Sequence, residues 1–128
     1  INAGSGSDVN INTDLNVSGV VSDSAGSLRN LPQVSKSSAY TLIASDTGKH
    51  VSISSGGVTV ASGVFSIGDV VTIYNNSSSS QTITQGTSVT LRQAGTSNTG
   101  NRSLASYGVA TLMCVASNTF VISGVGLS

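Results

Sequence analysis

Short β-branched runs, each closed by a turn signal, recur along most of this chain, and they leave little room for any element but the strand. Val70-Val71-Thr72-Ile73-Tyr74 is the strongest of them. It sits between Gly68-Asp69 and the polar stretch 75–80 (NNSSSS). Residues 40–44, 49–54, 58–60, 81–85, 88–92, 102–107, 109–116 and 119–122 read the same way, bounded by Ser, Gly, Asn or Asp. Spacings of roughly 8–12 residues between runs are the pattern of a sandwich or barrel. Composition points the same way. Charged residues make up 8% of the chain and Glu is absent. Ser, Thr and Asn occupy the surface positions where Glu and Lys would favour helix. No repeat with a period of 20–50 residues is evident, which argues against a solenoid or propeller.

Residues 1–33 follow a different rule. Val9, Ile11, Leu15 and Val17 fall on odd positions, with Asp8, Asn10, Asn12, Asp14 and Asn16 between them. Period two marks extended chain with one face to bury. The segment is too short and polar to bury that face in itself, so it calls for partner chains; three copies around one axis would supply them. A turn follows at residues 22–26 (SDSAG), then an extended exit into Pro32. The expected organisation is an extended stem over residues 1–33 and a compact antiparallel β-sandwich or barrel-like head over 34–128. The chain begins at Ile1, as a piece cut from a longer polypeptide would. The head has two Phe, three Tyr and no Trp, so its core must be aliphatic. Val70, Ile73, Val89, Leu91, Leu112 and Phe120 are the expected core. A domain this small is marginal alone, which again favours an oligomer.

Several functions find no residues to carry them. Net charge is zero at pH 7, so no basic field draws nucleic acid or anionic lipid. No apolar run approaches the ~18 residues that would span a bilayer. Catalysis is not expected. Glycoside hydrolysis needs paired carboxylates, and the acids are only Asp8, Asp14, Asp23, Asp46 and Asp69. Asp46 and Asp69 sit in turns, where a carboxylate bonds its own backbone. No G-x-S-x-G elbow occurs, and His50 is the lone imidazole base. No cofactor is expected, and no metal, unless three copies of His50 meet on a trimer axis. Cys114 lies in an apolar run and reads as a small buried hydrophobe.

Binding is the function left. Residues 75–80 and 94–101 read as exposed polar loops. Tyr74, Asn75 and Asn76 border or occupy the first; Arg92, Asn98 and Arg102 surround the second; Tyr107 stands at a turn before Gly108. Aromatic faces, amides and guanidinium groups are what a saccharide contacts. These seven residues are the candidate receptor-binding set.

The stretch 14–33, DLNVSGVVSDSAGSLRNLPQ, resembles the junction before the tip domain of long phage tail-fibre proteins. There, stem repeats of the L-x-V-x-G kind lead into a D-S-x-G-x-x-R-x-x-P turn. Residues 40–53, 63–86 and 108–127 are similar to the C-terminal domain of tail fibres from marine and cyanobacterial phages. The resemblance implies a homotrimeric, extracellular virion component joined to other fibre segments. Its tip would attach to a host surface glycan or outer-membrane protein without entering the membrane. It brings no established ligand residue. The alternatives are a trimer-registering domain that makes no receptor contact, and a bacterial surface adhesin domain.

Overall fold

The computed structural model describes Gly6 and residues 9–128. Residues 1–5, 7 and 8 of the expected stem, Asp8 among them, lie outside the described residues. A two-stranded hairpin, β1 (Ser22–Asp23) and β2 (Gly26–Ser27), precedes the head. Nine strands build the head: β3 (Gln33–Lys36), β4 (Tyr40–Thr41), β5 (His50–Ile53), β6 (Val58–Val60), β7 (Val70–Asn75), β8 (Gln81–Gln85), β9 (Thr90–Gln93), β10 (Arg102–Ala116) and β11 (Thr119–Leu127). One short 3₁₀ turn, Ala44–Asp46, interrupts them. The all-β, barrel-like expectation holds.

Strand direction is mixed where an antiparallel head was expected. β3, β5 and β7 form one parallel ladder, and β4, β6 and β8 form another. The chain alternates between the two, so each circuit returns one strand further along. The first ladder starts at residues 33, 50 and 70, steps of 17 and 20. This is a short coil. Its steps differ in length and its connecting loops share no motif, so it leaves no fixed-period repeat in the sequence.

β10 closes the coil. Its first residues, Arg102–Leu104, pair antiparallel with β8, and Val109–Met113 pair antiparallel with β7. The sheet order is therefore β3-β5-β7-β10-β8-β6-β4, with β11 returning along β10 and β9 parallel to β11. Residues 102–107 and 109–116, expected as separate strands, are one strand bent in the middle. At the bend Tyr107 takes φ +58°, a left-handed angle that costs a non-glycine residue free energy. A side chain at Gly124 would strike the Val109 carbonyl, so glycine lets β11 lie close on β10.

Val51, Ile53, Val71, Ile73, Leu91, Leu112 and Ile122 face one shared core, and Phe65 meets Phe120 edge-on at 5.9 Å. Of the expected core residues, Ile73, Val89, Leu91, Leu112 and Phe120 are buried. Val70 is not; it is half-buried on the outer face while Val71 fills the core. Period two forbids Val70 and Ile73 from pointing the same way. Cys114 is buried, as expected. Burial first, then the Asp69 carboxylate, push its thiol above the ordinary range.

Asn75, expected in an exposed loop, is fully buried. Its amide N–H groups are shared among the carbonyls of Ser79, Leu104 and Ala105 at 2.8–3.0 Å. Its Oδ1 accepts from the Ser77 hydroxyl, which also accepts from Gln81 Nε2. Gln81 Oε1 in turn accepts from the Gly57 N–H. This network joins both ladders to the bend of β10. Asn75→Ala should lower unfolding free energy by about 2–4 kcal/mol, since buried carbonyls lose their donor. Asn75→Asp should cost more, because a carboxylate has no donor to offer. Urea titration reads both.

A second buried group sits under β4. Asp46 accepts from the Ile43 N–H at 2.8 Å and from the Tyr40 hydroxyl at 3.0 Å. Desolvation, the Asp46 hydrogen bond and the Asp46 charge push Tyr40 from 10.0 to about 12. A group raised on folding stabilises fully below its unfolded value and loses that effect as pH climbs through the folded one. Tyr40 should therefore ionise near pH 12 rather than pH 10 by ultraviolet absorbance. Stability should decline from about pH 10 to 12, and Tyr40→Phe should remove that share of the decline.

Candidate functional site

Parallel register places small polar side chains side by side on the outer face of the first ladder. Ser35 aligns with Ser52, and Ser52 with Tyr74. Two residues on, by the same alternation, come Ser37, Ser54 and Asn76. Ser35, Lys36, Ser37, Ser52, Ser54 and Asn76 line a recess of about 150 Å³. Ser52 is 5% exposed. Ser54 Oγ donates to the Lys36 carbonyl, and Ser35 Oγ accepts from Gln33 Nε2. The Lys36 ammonium stands 4.3 Å over the Tyr40 ring. The recess thus offers hydroxyls and an amide, while the Lys36 side chain turns to the opposite face of β3. That set can bond hydroxyl-rich ligands. It holds no imidazole or carboxylate to move a proton.

The seven expected contact residues do not form one site. Tyr74 and Asn76 belong to the serine ladder or its rim. Tyr107, 61% exposed, is close by in the chain's path, its N–H donating to the Ser77 carbonyl. Asn75 is buried structure and touches no surface ligand. Arg92, Asn98 and Arg102 gather elsewhere, around residues 94–101. Arg102 is half-buried, and its guanidinium donates to Gln93 Oε1, the Thr99 carbonyl and the Gly100 carbonyl. It braces that loop from within. Arg92 and Asn98 are exposed. The serines were missed because Ser is about a fifth of the sequence, against its ordinary minor share. Only the parallel register, unknown from sequence, singles out Ser35, Ser52 and Ser54.

His50 is occupied locally. Its Nδ1 lies 2.8 Å from the Leu31 carbonyl and therefore donates a proton to it. Its Nε2 lies 3.2 Å from Gln33 Oε1. The imidazole ties β5 to the exit of the neck. A three-copy metal site would have to displace the Gln33 contact. Among the described residues no cluster of three or more His, Cys, Asp or Glu stands ready for a metal.

A second cleft, about 400 Å³, opens between the β1–β2 hairpin and the head. Asp23, Ser27, Asn30, Leu28, Leu31 and Thr47 are among its walls. Thr47 Oγ1 is buried there without a hydrogen-bond partner among the described residues. Asp46 and Asp69 play the turn roles expected of them, Asp69 Oδ2 accepting from the Ser66 N–H at 2.8 Å. Comparison with models of known families, with curated proteins and with solved structures found no match for this chain.

Proposed function

We propose that this chain is the tip end of a homotrimeric tail fibre of the phage type, carried on the outside of a virion. In this reading its head attaches to a host surface glycan or outer-membrane protein. One observation carries it: Val9, Ile11, Leu15, Val17 and Val20 stay 38–76% exposed when only their own chain is present. Alternating apolar residues in extended chain find cover against copies of themselves, and three strands around an axis give each stripe a neighbour. The resemblance of residues 14–33 to a fibre junction supports the same reading. The sparse charge suits contact with neutral sugars.

The serine recess is the proposed receptor contact. Weak sites repeated three times per fibre, and over several fibres, add to strong attachment. The exposed apolar face of β10 and β11 favours a second reading, in which the head chiefly registers the trimer.

Light scattering behind a sizing column should give a mass of three chains of 12.7 kDa each. A stable monomer would remove the fibre reading. On a glycan array, the trimer should bind a subset of saccharides. Ser52→Val with Asn76→Ala should weaken that binding at least about tenfold, the worth of one or two hydrogen bonds. Full retention would move the receptor contact away from the recess; no binding on any array or permissive cell would leave registration as the head's role.

A further inference from the structure

The outer face of β7, β10 and β11 presents three aligned rows. Tyr74, Val109 and Val125 form one; Thr72, Thr111 and Ser123 the next; Val70, Met113 and Val121 the third. None of these nine carries a formal charge at neutral pH. Val109 is 43% exposed, Met113 43%, Val115 39% and Val125 85%. With Tyr107 these side chains leave on the order of 500 Å² of largely apolar surface open, near the ~300–600 Å² of the largest patch on an ordinary monomer. The backbone is built to present it. Gly124 and Gly126 flank Val125 and allow β11 to lie close on β10 while Val125 stands out.

We propose that this face packs against the same face of two further copies of the chain, around a three-fold axis that continues the axis of the neck. The proposal rests on the trimeric reading and adds the surface that joins the heads. Three features of the molecule select copies of itself as the occupant. The nine residues meet their own copies with no like-charge repulsion, and exposed Arg92 on β9, beside Val121, bounds the third row. The neck leaves from the same sheet: the Leu31 and Pro32 carbonyls both accept from His50 on β5, two strands from β10. Copies held together at the neck stripe would bring their sheets side by side at high effective concentration. The pattern agrees as well: the apolar rows and the hydroxyl row of Thr72, Thr111 and Ser123 share one face, where each row can meet its own copies around an axis. In the assembly Met113 and Val109 exclude water, and the hydroxyl row bonds across the axis. The serine recess on β3 and β5 stays at the outer margin, open to ligand.

The test uses the full chain with Met113→Glu and Val125→Asp as separate variants, and Thr82→Glu on exposed β8 as control. Three carboxylates brought together without water should weaken association at least about 100-fold. Light scattering through a dilution series should then show the trimers of both variants dissociating at concentrations at least about 100-fold higher than those of wild type and control. Circular dichroism checks that each variant keeps its β signature. If wild type is a trimer and the folded variants dissociate at the same concentration as wild type, this face is not the interface, while the fibre reading stands. If wild type is a monomer, both fall. Should Met113→Glu fail to fold, Val125→Asp decides alone, because its site is 85% exposed and its side chain supports little of the fold.

Discussion

Everything in the head hangs on β10 bonding to two ladders at once. β3-β5-β7 and β4-β6-β8 are each parallel stacks with an open end, and an open end leaves N–H and C=O groups unpaired. β10 meets both open ends, pairing with β8 through residues 102–104 and with β7 through 109–113. To do so it must bend between them, and the bend breaks the regular ladder. Asn75 supplies what the bend withdraws, donating to the Leu104 and Ala105 carbonyls that a straight strand would have paired. The Tyr107 left-handed angle is the local cost, and the Ser77–Gln81–Gly57 chain of hydrogen bonds holds the loop that surrounds it. A single amide therefore connects the closure of the barrel to the conformation of its surface loop.

Scarcity of charge has a structural consequence as well as a functional one. A small aliphatic core buries modest apolar area, so the head cannot also carry many polar groups in need of rescue. The few buried polar groups are almost all paired: Asn75, Asp46 and Gln81 each have partners, and Thr47 Oγ1 is the orphan among the described residues. Outside, Ser and Thr suit the pleated surface and bond locally. They also leave the outer faces without the charges that commonly keep sheets apart. Such faces are tolerated where something is meant to lie on them.

What could be read from the sequence was whatever depends on one strand at a time. The run 70–74, the turn signal at Gly68-Asp69 and the alternation at 51 and 53 were legible because period two and turn chemistry are local. So were the turn roles of Asp46 and Asp69, since each accepts from a backbone N–H three residues away. Relations between strands were not legible. Nothing in 33–36, 50–53 and 70–75 announces that they pair in parallel, because the loops between them differ and carry no repeat. Asn75 looked like the first residue of a polar loop; its burial follows from the carbonyls of residues 104 and 105, which only the closed sheet brings to it. Arg102 looked free for the same reason, its acceptors lying on residues 93, 99 and 100 in the folded loop. The serine recess is the sharpest instance, for each serine alone is commonplace and only their register makes a site.

The neck and the head pose one physical problem from two directions. The apolar residues Val9, Ile11, Leu15 and Val17 are uncovered, and the rows on β7, β10 and β11 are sheet with an uncovered side. In a single chain both stay in water: Val20 is 76% exposed and Val125 85%. Folding the neck back onto the head would have to match a narrow stripe to a broad flat face, and it would leave the far rows open. Rotating whole copies about an axis would cover stripe with stripe and face with face. Closure by symmetry also spares the interface from growing into a filament, since a three-fold set of like faces leaves none for a fourth copy. In the proposed trimer, that closure is what keeps a chain with so little charge finite.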